Sequence, residues 1–302
     1  MPKKLVVVLG ATGTQGASVI TALLSSDYLI RAPLRYPSSP QALVLASQGI
    51  EILPGELGDK PSLLRAFQGA HAVFGVTVPF QAVSEVEQGK NIVDACKEAG
   101  VPLLVWSGLP SATEMSGGKY RNVTFFDEKA AVDAYIHQVG QPAVILHAAG
   151  YTENIKTQHQ LVSSPTAPHK LQLFWPIIRP HVRVSFTYMS ADFGPAVVKC
   201  IDRWEEPEWR EKLGNEALPV VSYTMSAEEI IQLVTRLSGR DVDFVRLTDI
   251  PNLAVKEMFQ LDDEGMRYPG LKFPPQVLVD LGARFHTLED FVRKEMPELV
   301  NL

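Results

Sequence analysis

Cysteine is almost missing from this sequence, with Cys96 and Cys200 the only two among 302 residues. Both fall in helical patterns on or near apolar faces. Buried reduced thiols are therefore expected, and a disulfide framework or a cysteine-held metal is excluded. Histidine offers no substitute: His137, His147, His159, His169 and His181 form no pair with metal-ligand spacing and a carboxylate partner. Runs of lysine or arginine are lacking as well. The formal net charge is −6 and the pI near 5.7, which argues against direct nucleic-acid binding, since phosphate contact needs a basic surface. No segment approaches the roughly 18 continuous apolar residues of a membrane span. The run from Leu5 to Leu9 is too short for a secretion signal and leads straight into a turn. Internal repeats and low-complexity tracts are absent. What remains is the composition of an ordinary soluble globular protein, 46% hydrophobic and 21% charged. The chain is long enough for one large domain or two modest ones. Cytoplasm is the expected location, with the nucleus second.

The stretch that organises the rest is Lys4-Leu5-Val6-Val7-Val8-Leu9-Gly10-Ala11-Thr12-Gly13-Thr14-Gln15-Gly16. A β-branched and aliphatic run is followed by three glycines spaced three apart, then by a helical pattern. A strand, tight turn and helix start in that order build a pocket for a dinucleotide pyrophosphate. Glycine serves where φ is unusual and where phosphate approaches bare backbone, and the opening helix directs free N–H groups at the anion. The spacing is G-x-x-G-x-x-G rather than the G-x-G-x-x-G of ordinary dehydrogenases.

Strands and helices then alternate. Ala17, Ile20, Leu23 and Leu24 mark a helix, Leu29 to Arg35 a second strand, residues 40–48 a short helix and Ile50 to Leu53 a third strand. Leu63, Leu64 and Phe67 mark a helix with Asp59 placed as its N-cap, and His71 to Val78 a fourth strand. Ser84 and Glu87 make a capping box that opens a helix ending at Gly100. Leu103 to Trp106 is strand five, residues 107–122 a long loop over the site, Asp127 to Val139 a helix, and Ala143 to His147 strand six. This rhythm predicts an α/β fold, a Rossmann-type doubly wound parallel sheet over residues 1–150. Beyond Gly150 it breaks. Residues 151–181 carry prolines and a Phe174-Trp175-Pro176 cluster without a clean period. Val182 to Tyr188 reads as a strand, and Ser190 as the cap of a helix through Cys200. Both are expected to rejoin the first domain, over about 182–204. Ser226 and Glu229 make a further capping box before a helix closing at Gly239, Val242 to Leu247 is a strand, and Thr287 caps a last helix. Residues 151–181 and 205–302 thus form a smaller, irregular α+β lobe lying over the carboxyl ends of the sheet.

Strand two ends in Arg35, and no acidic residue occurs from Leu29 to Leu43. A carboxylate there would hold the ribose hydroxyls of NAD; a guanidinium suits a 2′-phosphate, which favours NADP(H). Glu56 and Asp59 are placed either to contact the adenine amine or to serve as turn and cap residues. The Gly10–Gly16 turn, Arg35, Gly55-Glu56-Leu57-Gly58-Asp59, Val76-Thr77-Val78-Pro79, Trp106-Ser107-Gly108-Leu109, Phe126-Asp127-Glu128-Lys129 and Tyr151-Thr152-Glu153-Asn154 follow in this order. Together they resemble the NmrA-like family, atypical members of the short-chain dehydrogenase superfamily, and especially its NADPH-sensor members. The likeness extends to Asp192-Phe193-Gly194-Pro195 and the closing Thr287-Leu288-Glu289-Asp290-Phe291. It implies that Gly10, Thr12, Gly13, Thr14, Gln15 and Gly16 hold the pyrophosphate and Arg35 the 2′-phosphate. Thr77 and Pro79 would line the path to the nicotinamide, with Lys129, Tyr151 and Asn154 at its ribose and ring. The family's sensors carry more basic residues after the arginine; Tyr36-Pro37-Ser38-Ser39-Pro40 stands here, so NADP selectivity is expected to be weaker.

Short-chain dehydrogenases reduce carbonyls with Tyr-x-x-x-Lys, the phenol giving the proton. Lys129 has the lysine's place, but Phe125 stands four residues before it and has no proton to give. Ser107 is a second catalytic candidate, able to polarise a substrate oxygen, or else a turn residue after its strand. Tyr120, in the loop, is a substitute acid. Two functions follow. An intact cofactor site without its proton donor favours a redox sensor that couples nucleotide state to a protein partner, such as a transcription factor or enzyme, as monomer or homodimer. The alternative is an NADPH-dependent reductase of a small aromatic or quinone-like compound, its pocket walled by Phe174, Trp175, Tyr188, Phe259, Tyr268 and Phe273.

Overall fold

Val6, Val7 and Val8 are fully enclosed in the computed structural model, which describes residues 2–300. They lie in β1 (Lys4–Val8), and a strand covered by helices on both faces must be apolar throughout rather than alternating. The chain continues through α1 (Thr14–Leu24), β2 (Tyr28–Leu34), α2 (Pro40–Ser47), β3 (Glu51–Pro54), α3 (Lys60–Phe67) and β4 (Ala72–Gly75). Next come α4 (Glu85–Glu98), β5 (Leu103–Gly108), α5 (Ala112–Met115), α6 (Thr124–Val139) and β6 (Ala143–Ala148). Then follow β7 (Gly150–Tyr151), α7 (Asn154–Thr157), β8 (Leu161–Ser163), β9 (Leu171–Pro176), β10 (Val184–Thr187) and a π-helical turn (Met189–Phe193). After α8 (Gly194–Arg203) and α9 (Pro207–Gly214) come β11 (Leu218–Val220), β12 (Tyr223–Met225), α10 (Ala227–Ser238) and β13 (Val242–Leu247). The chain closes with α11 (Leu253–Asp263), α12 (Gln276–Asp280) and α13 (Leu288–Glu295).

Seven strands make one parallel sheet in the order β11-β6-β5-β4-β1-β2-β3. One face packs on α1, α8 and α9, the other on α3, α4 and α6, so the expected doubly wound sheet is present. The strand order reverses between β1 and β4, and at such a switch point a crevice opens beyond the carboxyl ends of the strands. Two three-stranded sheets, β12-β10-β7 and β13-β9-β8, carry a separate core with α10 and α13.

Several local expectations are corrected. The strand over 184–187 does not enter the large sheet; it pairs with β12 and β7. The seventh strand is β11, three residues that show no period of their own. Ser190 caps no helix, because it sits inside the π-helical turn, whose buried Asp192 accepts from Ser222 Oγ (2.5 Å) and His286 Nδ1 (2.5 Å). Asp59 stands at the N-cap of α3 without a side-chain bond, and Ser84 accepts from Glu87 N–H (3.2 Å) without the return bond of a full box. Residues 107–122 contain the end of β5 and α5, and α6 begins at Thr124, one turn earlier than expected.

Gly194 lets α8 lie against α1. A Cβ there would stand 2.1 Å from the Ser18 carbonyl oxygen, and its N–H donates to Ser18 Oγ (2.9 Å). Gly194→Ala is therefore expected to cost about 1–3 kcal/mol, as overpacking does, seen as a lowered urea midpoint at unchanged slope.

Candidate dinucleotide site and the cleft beside it

The glycine turn closes through Gly13 N–H to the Gly10 carbonyl (2.8 Å). Gly10 has φ +61°, and a Cβ on Gly16 would stand 2.1 Å from the Gly10 carbonyl oxygen. Only glycine at 16 lets the first turn of α1 sit this close to the loop. The N-cap of α1 is Gly13, which offers no side-chain acceptor, so the opening N–H groups are left for a ligand. Thr12, Gly13 and Thr14 are exposed. Gln15 Nε2 donates to the Tyr151 hydroxyl (3.0 Å), while Gln15 Oε1 is enclosed with no partner among the described residues. Burial pushes the Tyr151 phenol up to about 12. The bare N–H groups of this cradle fit a dinucleotide pyrophosphate, whereas the orphaned Gln15 oxygen needs a donor and is no phosphate contact.

Arg35, one residue past β2, faces Glu56 at 3.6 Å, both about half exposed. A guanidinium so paired must leave Glu56 to receive a 2′-phosphate. Such an exposed pair is worth ~0–1 kcal/mol. Glu56→Gln is accordingly expected to raise the ratio of NADP⁺ to NAD⁺ affinity by up to about fivefold, the equivalent of ~1 kcal/mol, with stability unchanged; calorimetric titrations of both nucleotides measure it.

Across the switch point, Thr77 follows β4 and meets Lys129 on α6. Lys129 Nζ donates to Thr77 Oγ1 (2.6 Å) and pairs with Glu85 Oε2 (2.8 Å), and Thr77 Oγ1 donates to the same carboxylate oxygen (2.5 Å). The Glu85 side chain is 3% exposed. Desolvation pulls the Lys129 ammonium below its ordinary value, with Glu85 opposing. Glu85 Oε1 has no hydrogen-bond partner among the described residues. Its backbone N–H donates to Glu128 Oε2 (2.6 Å). Between the first turns of α4 and α6 lies a cleft of about 210 Å³, lined by Pro79, Phe80, Ser84, Glu85, Phe125 and Glu128. Sequence reasoning missed Glu85, because an acid in a first helical turn reads as a partner for the helix dipole.

The other candidates lie apart from this cluster. Ser107, the last residue but one of β5, lies on the strand face of Leu103 and Val105, whereas Trp106 faces Lys129 with its ring centroid 5.8 Å from Nζ. No side-chain bond joins Ser107 or Asn154 to the cluster among the described residues. Tyr120 is buried rather than in an open loop, and its hydroxyl donates to Glu264 (2.6 Å) at the end of α11. Asp133, one turn beyond Lys129, holds Trp106 Nε1 (2.7 Å) and His147 Nε2 (2.6 Å). The described residues contain no metal-binding group of His, Cys, Asp and Glu, and Cys96 and Cys200 are free and buried. No helix among them is long and apolar enough to cross a membrane.

The model of the NmrA-like family matches residues 2–293. An NmrA-like family domain-containing oxidoreductase of Aspergillus hancockii, hkm9, is 35% identical over 160 residues, which is 50% of this chain and 48% of that protein. The chain thus spans about half the length of the curated relatives it matches first. The nitrogen metabolite repression protein nmrA of Emericella nidulans is 24% identical over 258 residues, covering 84% of this chain and 70% of that protein. Among solved structures, NmrA, a negative transcriptional regulator in complex with NADP, superposes with a TM-score of 0.81 at 21% identity. That match covers 99% of this chain and 97% of the other.

Proposed function

The chain belongs to the NmrA-like family, and from that premise we propose that it is an NADP(H)-dependent reductase of a small organic substrate. One observation carries the reading: a cleft opens directly beside the Lys129–Glu85 pair, where a substrate can reach the nicotinamide end of the cofactor. Gly10 to Gly16 and the first N–H groups of α1 hold the pyrophosphate, and Arg35 takes the 2′-phosphate once released from Glu56. Thr77 and Pro79 edge the nicotinamide, and Lys129, fixed by Thr77 and Glu85, bonds its ribose. Tyr151 closes the site over Gln15. The bound cofactor supplies hydride. Loss of NADPH absorbance with a panel of quinones, aromatic carbonyls and imines tests the reading. A chain that binds NADPH tightly and turns over none of them would overturn it.

A second reading rests on Phe125, which leaves the motif without its phenol. Here the protein is a nucleotide-state sensor acting on a protein partner. A ligand shifts such an equilibrium only by binding its two states unequally, so equal affinities for NADPH and NADP⁺ would remove this reading.

A further inference from the structure

Lys129 and Glu85 satisfy one another only in part. An ammonium carries three N–H donors, and Lys129 directs two of them to Thr77 Oγ1 (2.6 Å) and Glu85 Oε2 (2.8 Å). Glu85 Oε2 also takes the Thr77 hydroxyl (2.5 Å), which fixes the carboxylate so that Oε1 is the oxygen left over. That oxygen is enclosed and has no donor among the described residues, although a buried carboxylate needs one. The pair therefore offers a ligand one spare N–H and, beside it, one spare acceptor.

Its place in the fold decides which ligand can answer. Thr77 and Glu85 follow β4, where the strand order reverses and the crevice of the glycine turn opens. At that crevice Gln15 gives an Nε2 proton to Tyr151 (3.0 Å) and keeps Oε1 enclosed without a donor. Burial first, and then the charges of Glu153 and Glu85, hold the Tyr151 phenol high, so Glu85 lies within electrostatic reach of this contact. Among the described residues, Gln15 Oε1 and Glu85 Oε1 are the only enclosed side-chain oxygens that can accept but not donate and that lack a donor. A pyrophosphate, which has acceptors alone, satisfies neither. A ribose does better, because each hydroxyl both donates and accepts, and two vicinal ones match an N–H beside a carboxylate oxygen. In NAD-binding folds a carboxylate holds the adenosine ribose in this way. Here Arg35 has that position, and the unsatisfied carboxylate stands at the other end of the crevice.

We propose that Glu85 is a cofactor-binding residue that holds the nicotinamide ribose together with Lys129. The spare Lys129 N–H donates to one of the two vicinal hydroxyls, and the other hydroxyl donates to Glu85 Oε1. The proposal rests on the placement of this ribose at Lys129, and it holds for a reductase and a sensor alike.

The test is calorimetry of the full chain with NADP⁺ and with its analogues lacking the 2′- or the 3′-hydroxyl of the nicotinamide ribose. Wild type is expected to bind each analogue at least ~10-fold more weakly than NADP⁺, as the loss of a hydrogen bond to a charged group implies. In Glu85→Gln one of the two penalties should shrink to about twofold or less, while the other, set by Lys129, persists. Glu85→Asp keeps a charge for Lys129 but draws the oxygens back by one methylene. It should lose the same penalty, and it serves if the amide variant does not fold. If no penalty shrinks in either variant, the proposal is overturned and the ribose stays at Lys129. If wild type penalises neither analogue, the ribose does not lie at Lys129 and the proposal goes with it. The 3-acetylpyridine analogue of NADP⁺, which lacks the amide N–H of the nicotinamide, should bind wild type and Glu85→Gln in the same proportion to NADP⁺. A loss in wild type that vanishes in Glu85→Gln would make that amide the donor to Glu85 and overturn the proposal.

Discussion

Lys129→Met is expected to destabilise the protein by about 3–5 kcal/mol, the usual cost of leaving one member of a buried ion pair without its partner. The Glu85 carboxylate would then keep only Thr77 Oγ1 as a donor, inside a pocket where its side chain is 3% exposed. Glu85→Gln should cost a similar amount, because Lys129 would stay charged against a neutral amide. The double variant Glu85→Gln/Lys129→Met should lose less than the sum of the two by about 2 kcal/mol or more, since neither charge is then stranded. Urea unfolding of the four proteins measures the cycle, and strict additivity would show that the pair is not coupled. The deficit of Glu85→Gln also depends on pH in a definite direction. Desolvation holds the native Lys129 pKa below its ordinary 10.5, and removing Glu85 takes away the main group opposing that fall. The native state then binds fewer protons than the unfolded chain from the lowered pKa up to the ordinary one. Stability therefore rises with pH across that window and is lost as pH falls through the native value. The gap between wild type and Glu85→Gln should be widest near neutrality and narrow toward pH ~10, where the unfolded lysine also sheds its proton.

Gly16→Ala should weaken nucleotide binding about a hundredfold and cost about 1–3 kcal/mol of stability. The added Cβ would stand 2.1 Å from the Gly10 carbonyl oxygen and 2.4 Å from its carbon. Both are backbone atoms that cannot rotate aside, so α1 must lift off the turn, and its N–H groups then no longer converge on the pyrophosphate. A loss of about a hundredfold in NADP⁺ affinity, ~2.7 kcal/mol, is expected by calorimetry. Gly13→Ala separates the two effects. Its Cβ would meet the Gly10 oxygen at 3.4 Å, an ordinary contact, so stability should fall by only about 1 kcal/mol, the value of a helix cap. The methyl would still project on the exposed side of the turn, where phosphate approaches. Gly13→Ala with full nucleotide affinity would show that the pyrophosphate does not lie on this turn.

The parallel sheet was legible because its strands are short apolar runs, such as Val6 to Val8 and Leu103 to Trp106, each followed by a helical period. Local chemistry also marked α10 and α13: Ser226 with Glu229 and Thr287 with Asp290 form reciprocal caps. The second lobe was harder. In β9 only Leu171, Leu173 and Trp175 alternate cleanly, and Pro176 interrupts the pattern. β11 has three residues and gains its place solely by pairing with β6. Ser190 has the right chemistry for a cap, but the π-helical turn, anchored by Asp192 to Ser222 and His286 across the chain, determines where α8 begins.

By itself the sequence determined the order of strands and helices, the glycine turn and the absence of a phenol before Lys129, since each depends on neighbours within a few residues. Only the tertiary structure decided that Glu85, from a different helix, neutralises Lys129, that Glu56 occupies Arg35, and that Tyr120 is spent on Glu264. Those outcomes depend on which charged groups are buried within reach of one another. A linear pattern carries periodicity and spacing, but not the solvent exclusion that makes one carboxylate a partner and its neighbour a surface charge.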